Sequence, residues 1–138
     1  MTGTEVETAA PEAPGPEEEF QRLGRHLLRT AKNAPHRAAV QALVEERTIL
    51  SLPAVQRALV VDTSRGQAAR FKNLSGRQYG LGLDEGQRDF LGLILSMLGM
   101  GITTLASVQD LDDRRLPIIL RAIVRLAGNE TIAVGTRL

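Results

Sequence analysis

The chain has 138 residues, no cysteine and a formal net charge of +1. That length suits one domain with a tail, and a body of this size can bury a core without covalent staples. The missing thiols exclude a disulfide framework and a thiolate metal site, and they leave the redox compartment unconstrained.

Fifteen of the seventeen basic residues are arginine. A GC-rich genome accounts for that bias as well as a need for bidentate phosphate contacts does, and the abundance of Ala, Gly and Leu favours the genomic account. The net charge conceals a partition. Residues 1–19 hold six Glu and no base, for −6; residues 20–80 hold eleven bases against Glu45, Glu46 and Asp62, for +8; residues 81–138 hold six Arg against seven acids, for −1. Such segregation calls for an electrostatic explanation.

Residues 1–18 read as a disordered acidic tail, because Pro11 to Pro16 cannot propagate a helix and almost nothing there can be buried. No basic, apolar leader is visible, and a cytoplasmic location is expected. A helical domain is expected over 19–138. Phe20, Leu23, Leu27 and Leu28 make a helical stripe with Arg22, Arg25 and Arg29 turned outward. Pro35 ends that helix or opens the next, in which Val40, Leu43 and Val44 form the apolar face through Arg47. Thr48 to Leu50 is short enough for a strand or a link. Ser51 is the expected N-cap of a helix with Pro53 in its first turn and Val55, Ala58 and Leu59 inside. Asp62-Thr63-Ser64 reads as a turn, with Ser64 capping a second helix that ends on Leu74. Tyr79, Leu81 and Leu83 alternate with Gly80 and Gly82, a pattern for a hairpin arm or a Gly-rich loop.

Beyond this point the chain turns apolar. Asp84 is expected to cap a helix over Glu85–Leu98. The nineteen uncharged residues Phe90 to Val108 approach a membrane span in length. Their glycines and hydroxyl residues, with acids at both flanks, favour two buried helices broken near Gly99-Met100-Gly101, so no membrane partner is expected. The second of these would cover Ile102–Leu111. Asp112 or Asp113 caps a last helix carrying Leu116, Ile119, Leu120, Ile123, Val124 and Leu126, with Gly128 as its stop. Thr131 to Val134 could form a short strand.

Residues with catalytic potential are few. His26 and His36 are too far apart to share ligand spacing. Asp110, Asp112 and Asp113 lack the glycine and the terminal Glu of a calcium loop. Gly76 to Gly82 lacks the spacing of a phosphate loop. A non-enzymatic protein without cofactor or metal is expected.

The stretch Ser51 to Leu74 resembles the helix-turn-helix of bacterial transcription regulators. The apolar helix 52–59 ends in Leu, a Ser-capped turn follows, and Arg65 to Leu74 starts polar and basic and closes on Leu. The resemblance implies a mainly α helical bundle containing a helix-turn-helix-like unit, with helix 35–47 completing a tri-helical core. Residues 79–83 would stand as a small β wing. It implies double-stranded DNA as the partner and transcription regulation as the function. Ser64, Arg65, Gln67 and Arg70 would lie at the reading end of the second helix, and Arg57, Lys72 and Arg77 would touch phosphates. It further implies a homodimer, for which Phe90, Ile94, Met97, Ile119 and Ile123 in the apolar part (84–128) are the candidate interface. Two positions depart from the pattern. Val60-Val61 lengthens the turn, and Gly66 weakens the second helix by roughly 1 kcal/mol relative to Ala. The alternative function is a helical interaction adaptor whose basic face (20–80) docks an acidic partner.

Overall fold

The computed structural model describes residues 14–137. Most of the expected tail therefore lies outside the described residues. The fold is mainly α with one small antiparallel sheet: α1 (Pro16–Arg29), α2 (Ala34–Glu46), α3 (Pro53–Leu59), β1 (Val60–Thr63), β2 (Gly66–Ala69), α4 (Glu85–Met97) and α5 (Arg115–Leu126). Short 3-10 segments lie at Phe71–Leu74, Gln78–Gly80 and Leu105–Asp110.

Helix α1 starts at Pro16, upstream of the expected boundary, with Glu17, Glu18 and Glu19 in its first turn and Arg29 in its last. Acids at the positive end and a base at the negative end both complement the helix dipole. Phe20, Gly24 and Leu27 face inward. Helix α2 is capped by Asn33, whose side chain accepts from the His36 amide. Its apolar positions Ala38 to Leu43 are almost all buried, because α1, α4 and α5 all pack on it. Helix α4 opens with a reciprocal capping box between Asp84 and Gln87. It runs through the centre of the molecule, with Phe90, Leu91, Ile94 and Leu95 fully buried. Helix α5 ends as expected at Gly128, where Gly128 and Asn129 donate to the carbonyls of Arg125 and Val124.

The principal correction falls on residues 60–70. The expected second helix is a β-hairpin in which Val60, Val61, Asp62 and Thr63 pair with Ala69, Ala68, Gln67 and Gly66. Successive β-branched residues favour a pleated strand. Ser64-Arg65 makes the turn and Gly66 takes φ +113°, a conformation suited to glycine that closes the hairpin and would break a helix. The hairpin is the molecule's small β element, 60–69 rather than the 79–83 of the expected wing. Tyr79 lies in a 3-10 turn instead, followed by buried Leu81 and Leu83.

Further corrections follow the same logic. Ser51 does not cap α3; Leu52 holds the cap position and the Ser51 hydroxyl donates to the Arg47 carbonyl. Residues 102–104 form no regular element, and only the 3-10 helix Leu105–Asp110 stands where a second apolar helix was expected. Thr103 there crosses α4 so closely that a Cβ at Gly92 would meet its Oγ1 at 2.8 Å. Residues 131–134 form no strand; the Asn129 side chain accepts from the amides of Thr131 and Ile132 and folds them into a local turn. No helix among the described residues is long and apolar enough to cross a membrane.

Candidate functional site

The site begins with an unequal pairing of charges. The basic block 20–80 holds three acids, and two are engaged by the C-terminal half. Glu46, the last residue of α2, is fully buried. Its carboxylate accepts from Arg115 Nε at 2.9 Å, Arg114 Nη2 at 3.0 Å, the Ile49 amide at 2.8 Å and the Thr48 hydroxyl. Arg114 Nη1 also donates to the Glu46 carbonyl at 2.8 Å, closing the end of α2. Glu45 takes Arg121 and Arg125, each at 3.1 Å. Burial alone would raise the Glu45 carboxyl; hydrogen bonds from Gln41 and Arg121, with the charges of both arginines, outweigh it and hold the group below its usual range.

The bases of the block are thereby left without acids. Arg47 pairs with Glu17 and lies over the Phe20 ring, 4.7 Å from its centre. Arg22, Arg25, Arg29, Lys32, Arg37, Arg57, Arg65, Arg70, Lys72 and Arg77 are exposed and make no salt bridge among the described residues. Asp62, on the exposed side of β1, is the remaining acid.

Several of these cations surround the hairpin. Helix α1 packs against β2, and two contacts fix it there. His26 Nδ1 lies 3.2 Å from Gln67 Oε1, and the Thr30 hydroxyl donates to the Gln67 carbonyl at 2.8 Å. Arg22, Arg25 and Arg29 fall within a sector of about 60° on the outer side of α1. Arg22 and Gln67 share one shallow cleft beside the hairpin. Lys32, Arg70 and Lys72 line a groove on its other side. Arg65 stands at the exposed turn, with its amide donating to Thr63 Oγ1 and that hydroxyl donating to the Gly66 carbonyl.

The expected reading residues are therefore redistributed. Ser64 and Arg65 form the turn of the hairpin, not a helix N-terminus. Gln67 is occupied in holding α1, beside the cleft it shares with Arg22. Arg70 and Lys72 flank the hairpin together. Arg77 folds back so that Nη1 donates to the Asn73 carbonyl at 3.3 Å, and Arg57 lies exposed on α3. The expected dimer residues Phe90, Ile94 and Ile119 are buried to 1% exposure or less inside this chain's own core, so they offer nothing to a second copy. Met97 is half-buried at the groove, and Ile123 is exposed on α5.

His36 is the residue closest to reactive chemistry, and its hydrogen bonds define its state. The Lys32 amide donates to Nδ1 at 3.2 Å, so Nε2 carries the proton and donates to the Ala69 carbonyl at 3.0 Å. Burial lowers its proton affinity below the ordinary histidine range, the Ala69 bond opposes this, and the Lys32 charge adds to it. A neutral ring with both nitrogens engaged is a fixture between α2 and β2. On the far side, a smaller cleft lies between α4 and residues 102–107. There the Asp89 carboxyl is pushed up by burial and by the neighbouring Asp110 charge, and its Oδ2 has no partner among the described residues.

No family model, no curated protein and no solved structure matches the chain.

The helix-turn-helix pattern at Ser51–Leu74, with Arg77 just beyond it, does not point to the α1 arginines or to Lys32. A signal for them was present: three arginines at i, i+3 and i+7 lie on the face opposite Phe20 and Leu27. Glu46 was missed as well. Its signal is the adjacent acid pair inside a basic block, matched by Arg114-Arg115 in a block of near-neutral charge.

Proposed function

We propose that this protein binds double-stranded DNA, without catalysis, through the basic face around the β1–β2 hairpin. The observation that carries this reading is the unequal pairing described above. The only Glu residues of the basic block are taken by arginines of α5 and its approach, so ten cations stay exposed without an acidic partner among the described residues. Unpaired arginines distributed over an outer helix side, a hairpin turn and a groove rim suit a phosphate backbone, which offers regularly spaced anions. A two-stranded ribbon also fits the major groove, and Arg65 at its turn can reach a guanine edge. Regulation of transcription by such binding remains part of the proposal, with the hairpin replacing the helix in the reading role.

The test is a salt titration of binding to a random-sequence duplex. If about five of the ten exposed cations engage phosphates, the slope in log affinity against log salt is about −4.5. Arg65→Ala with Arg70→Ala is expected to reduce that slope by about two and to weaken binding at low salt by tenfold or more. Absence of duplex binding at about 50 mM salt, or an unchanged slope in the double variant, refutes it. The same face could instead dock an acidic protein. That alternative is favoured if polyglutamate binds and duplex does not.

A further inference from the structure

We infer that the groove between the hairpin and the end of α4 is a binding site for a small amphipathic acid, a carboxylate carried on an unbranched apolar body. The inference does not depend on DNA binding. The groove has a volume of about 700 Å³, within the range of small-molecule sites. Its two sides differ in chemistry. Met97, Leu98 and Met100 lie along the floor, half-buried and continuous with the core. Val61, Pro35 and Ala68 extend that apolar surface towards the hairpin. The rim carries Lys32, Arg70 and Lys72, all exposed and none in a salt bridge among the described residues, against Asp62 alone.

Charge complementarity selects an anion, and the floor selects its body. Two methionines make an adaptable, polarizable surface that accepts a flexible alkyl chain. A nucleotide fits less well. The groove's one carbocyclic aromatic ring, Phe71, is buried at 3% exposure and packs in a T-shaped pair with the His36 ring, 5.4 Å between centres, so it offers no face for a base to stack on. The Arg70 guanidinium can take a carboxylate with two parallel hydrogen bonds. His36 is neutral and already bonded through both nitrogens. The rim therefore binds the head group, and the floor excludes water from the tail.

The chain has three methionines, Met1, Met97 and Met100, and two of them line the groove. Methyl NMR of methionine-labelled protein thus contains its own control. Titration with decanoate should move the Met97 and Met100 methyl signals saturably, with a dissociation constant of about 100 µM, and leave Met1 in place. Decanol should bind about tenfold more weakly, and Arg70→Gln with Lys72→Gln should lower decanoate affinity to the decanol level. The inference is overturned if Met97 and Met100 shift no more than Met1. Equal binding of decanol, equal binding of inorganic phosphate, or unchanged affinity in the double variant overturns it as well. The double variant keeps Phe71 and Leu74, the buried residues of that turn, so loss of binding is separable from loss of fold by an unchanged circular dichroism spectrum and melting temperature.

Discussion

Arg47 is the one non-glycine residue with positive φ among the described residues, at φ 75° and ψ −47°. The Thr48 amide donates to the Glu46 carbonyl at 2.8 Å across it. A hydrogen bond from i+2 back to i around such a centre is the strained form of γ-turn. The turn is needed because it folds Thr48 and Ile49 back onto the Glu46 carboxylate. The Arg47 side chain then holds the turn from outside, between Glu17 and the Phe20 ring. Backbone strain and side-chain anchoring therefore oppose each other at one position, and two substitutions separate them. Arg47→Ala removes the anchor and keeps the strain, whereas Arg47→Gly removes both. The glycine variant should melt a few degrees above the alanine variant, as measured by thermal denaturation. Equal melting temperatures would mean that the turn carries no strain.

The elements are joined at one polar node. Glu46 ends α2, Arg114 and Arg115 begin α5, and Thr48 accepts from Gln87 of α4 at 3.0 Å. One buried carboxylate thus ties three helices. Removing a partner from a buried ion pair costs more than the pair contributes, because the remaining charge loses its compensation. Arg115 keeps 13% of its side-chain surface exposed and Arg114 keeps 49%, so Arg114 can rehydrate and Arg115 mostly cannot. Glu46→Ala should destabilise the fold by about 3 kcal/mol, the lower end of the range for such pairs. Arg115→Met in that background should recover part of the loss. Urea unfolding of the two single variants and the double variant tests this; additive effects would show that the two residues are not coupled. The same scale explains what was legible in the sequence. The helices with an apolar stripe, α1, α2, α4 and α5, are visible because periodicity is a local signal, and at α4 the Asp84 cap is legible as well. The second helix of the supposed pair was misread because Ala68, Phe71 and Leu74 also have a spacing of three. Val60-Val61 and Gly66, the two departures from the helix-turn-helix pattern, were the residues that determined the outcome. Of the site, the charges of Arg65, Arg70 and Lys72 are legible in the sequence, but the hairpin around which they stand is not. The Glu45 and Glu46 pairings join residues 68 to 80 apart, a separation that no local pattern encodes.

At the scale of the whole molecule, the charge segregation has a consequence for binding. Glu45 and Glu46 are neutralised by the C-terminal arginines, so the acids still able to oppose the basic face are concentrated before it in the sequence. Residues 1–13 carry Glu5, Glu7 and Glu12. Helix α1 begins at Pro16, which shares a cleft with Arg22 and Gln67 at the side of the hairpin. Thirteen residues extend at most about 45 Å, and a folded body of this size has a radius of gyration of about 14 Å. A segment of that length can reach the basic face. Glutamates tethered within such reach would compete with phosphate until salt screens them, over a length of about 10 Å at 0.1 M. Deleting residues 1–13 should raise affinity for a random duplex severalfold at about 50 mM salt, and the gain should vanish as salt increases. The deletion has to stop at residue 13, because Glu17 holds Arg47 and a longer one would disturb the γ-turn as well. Equal affinity of the deleted and full chains at low salt would mean that the acidic segment does not act on this face, and a gain that persists at high salt would mean that it acts by contact and not by charge.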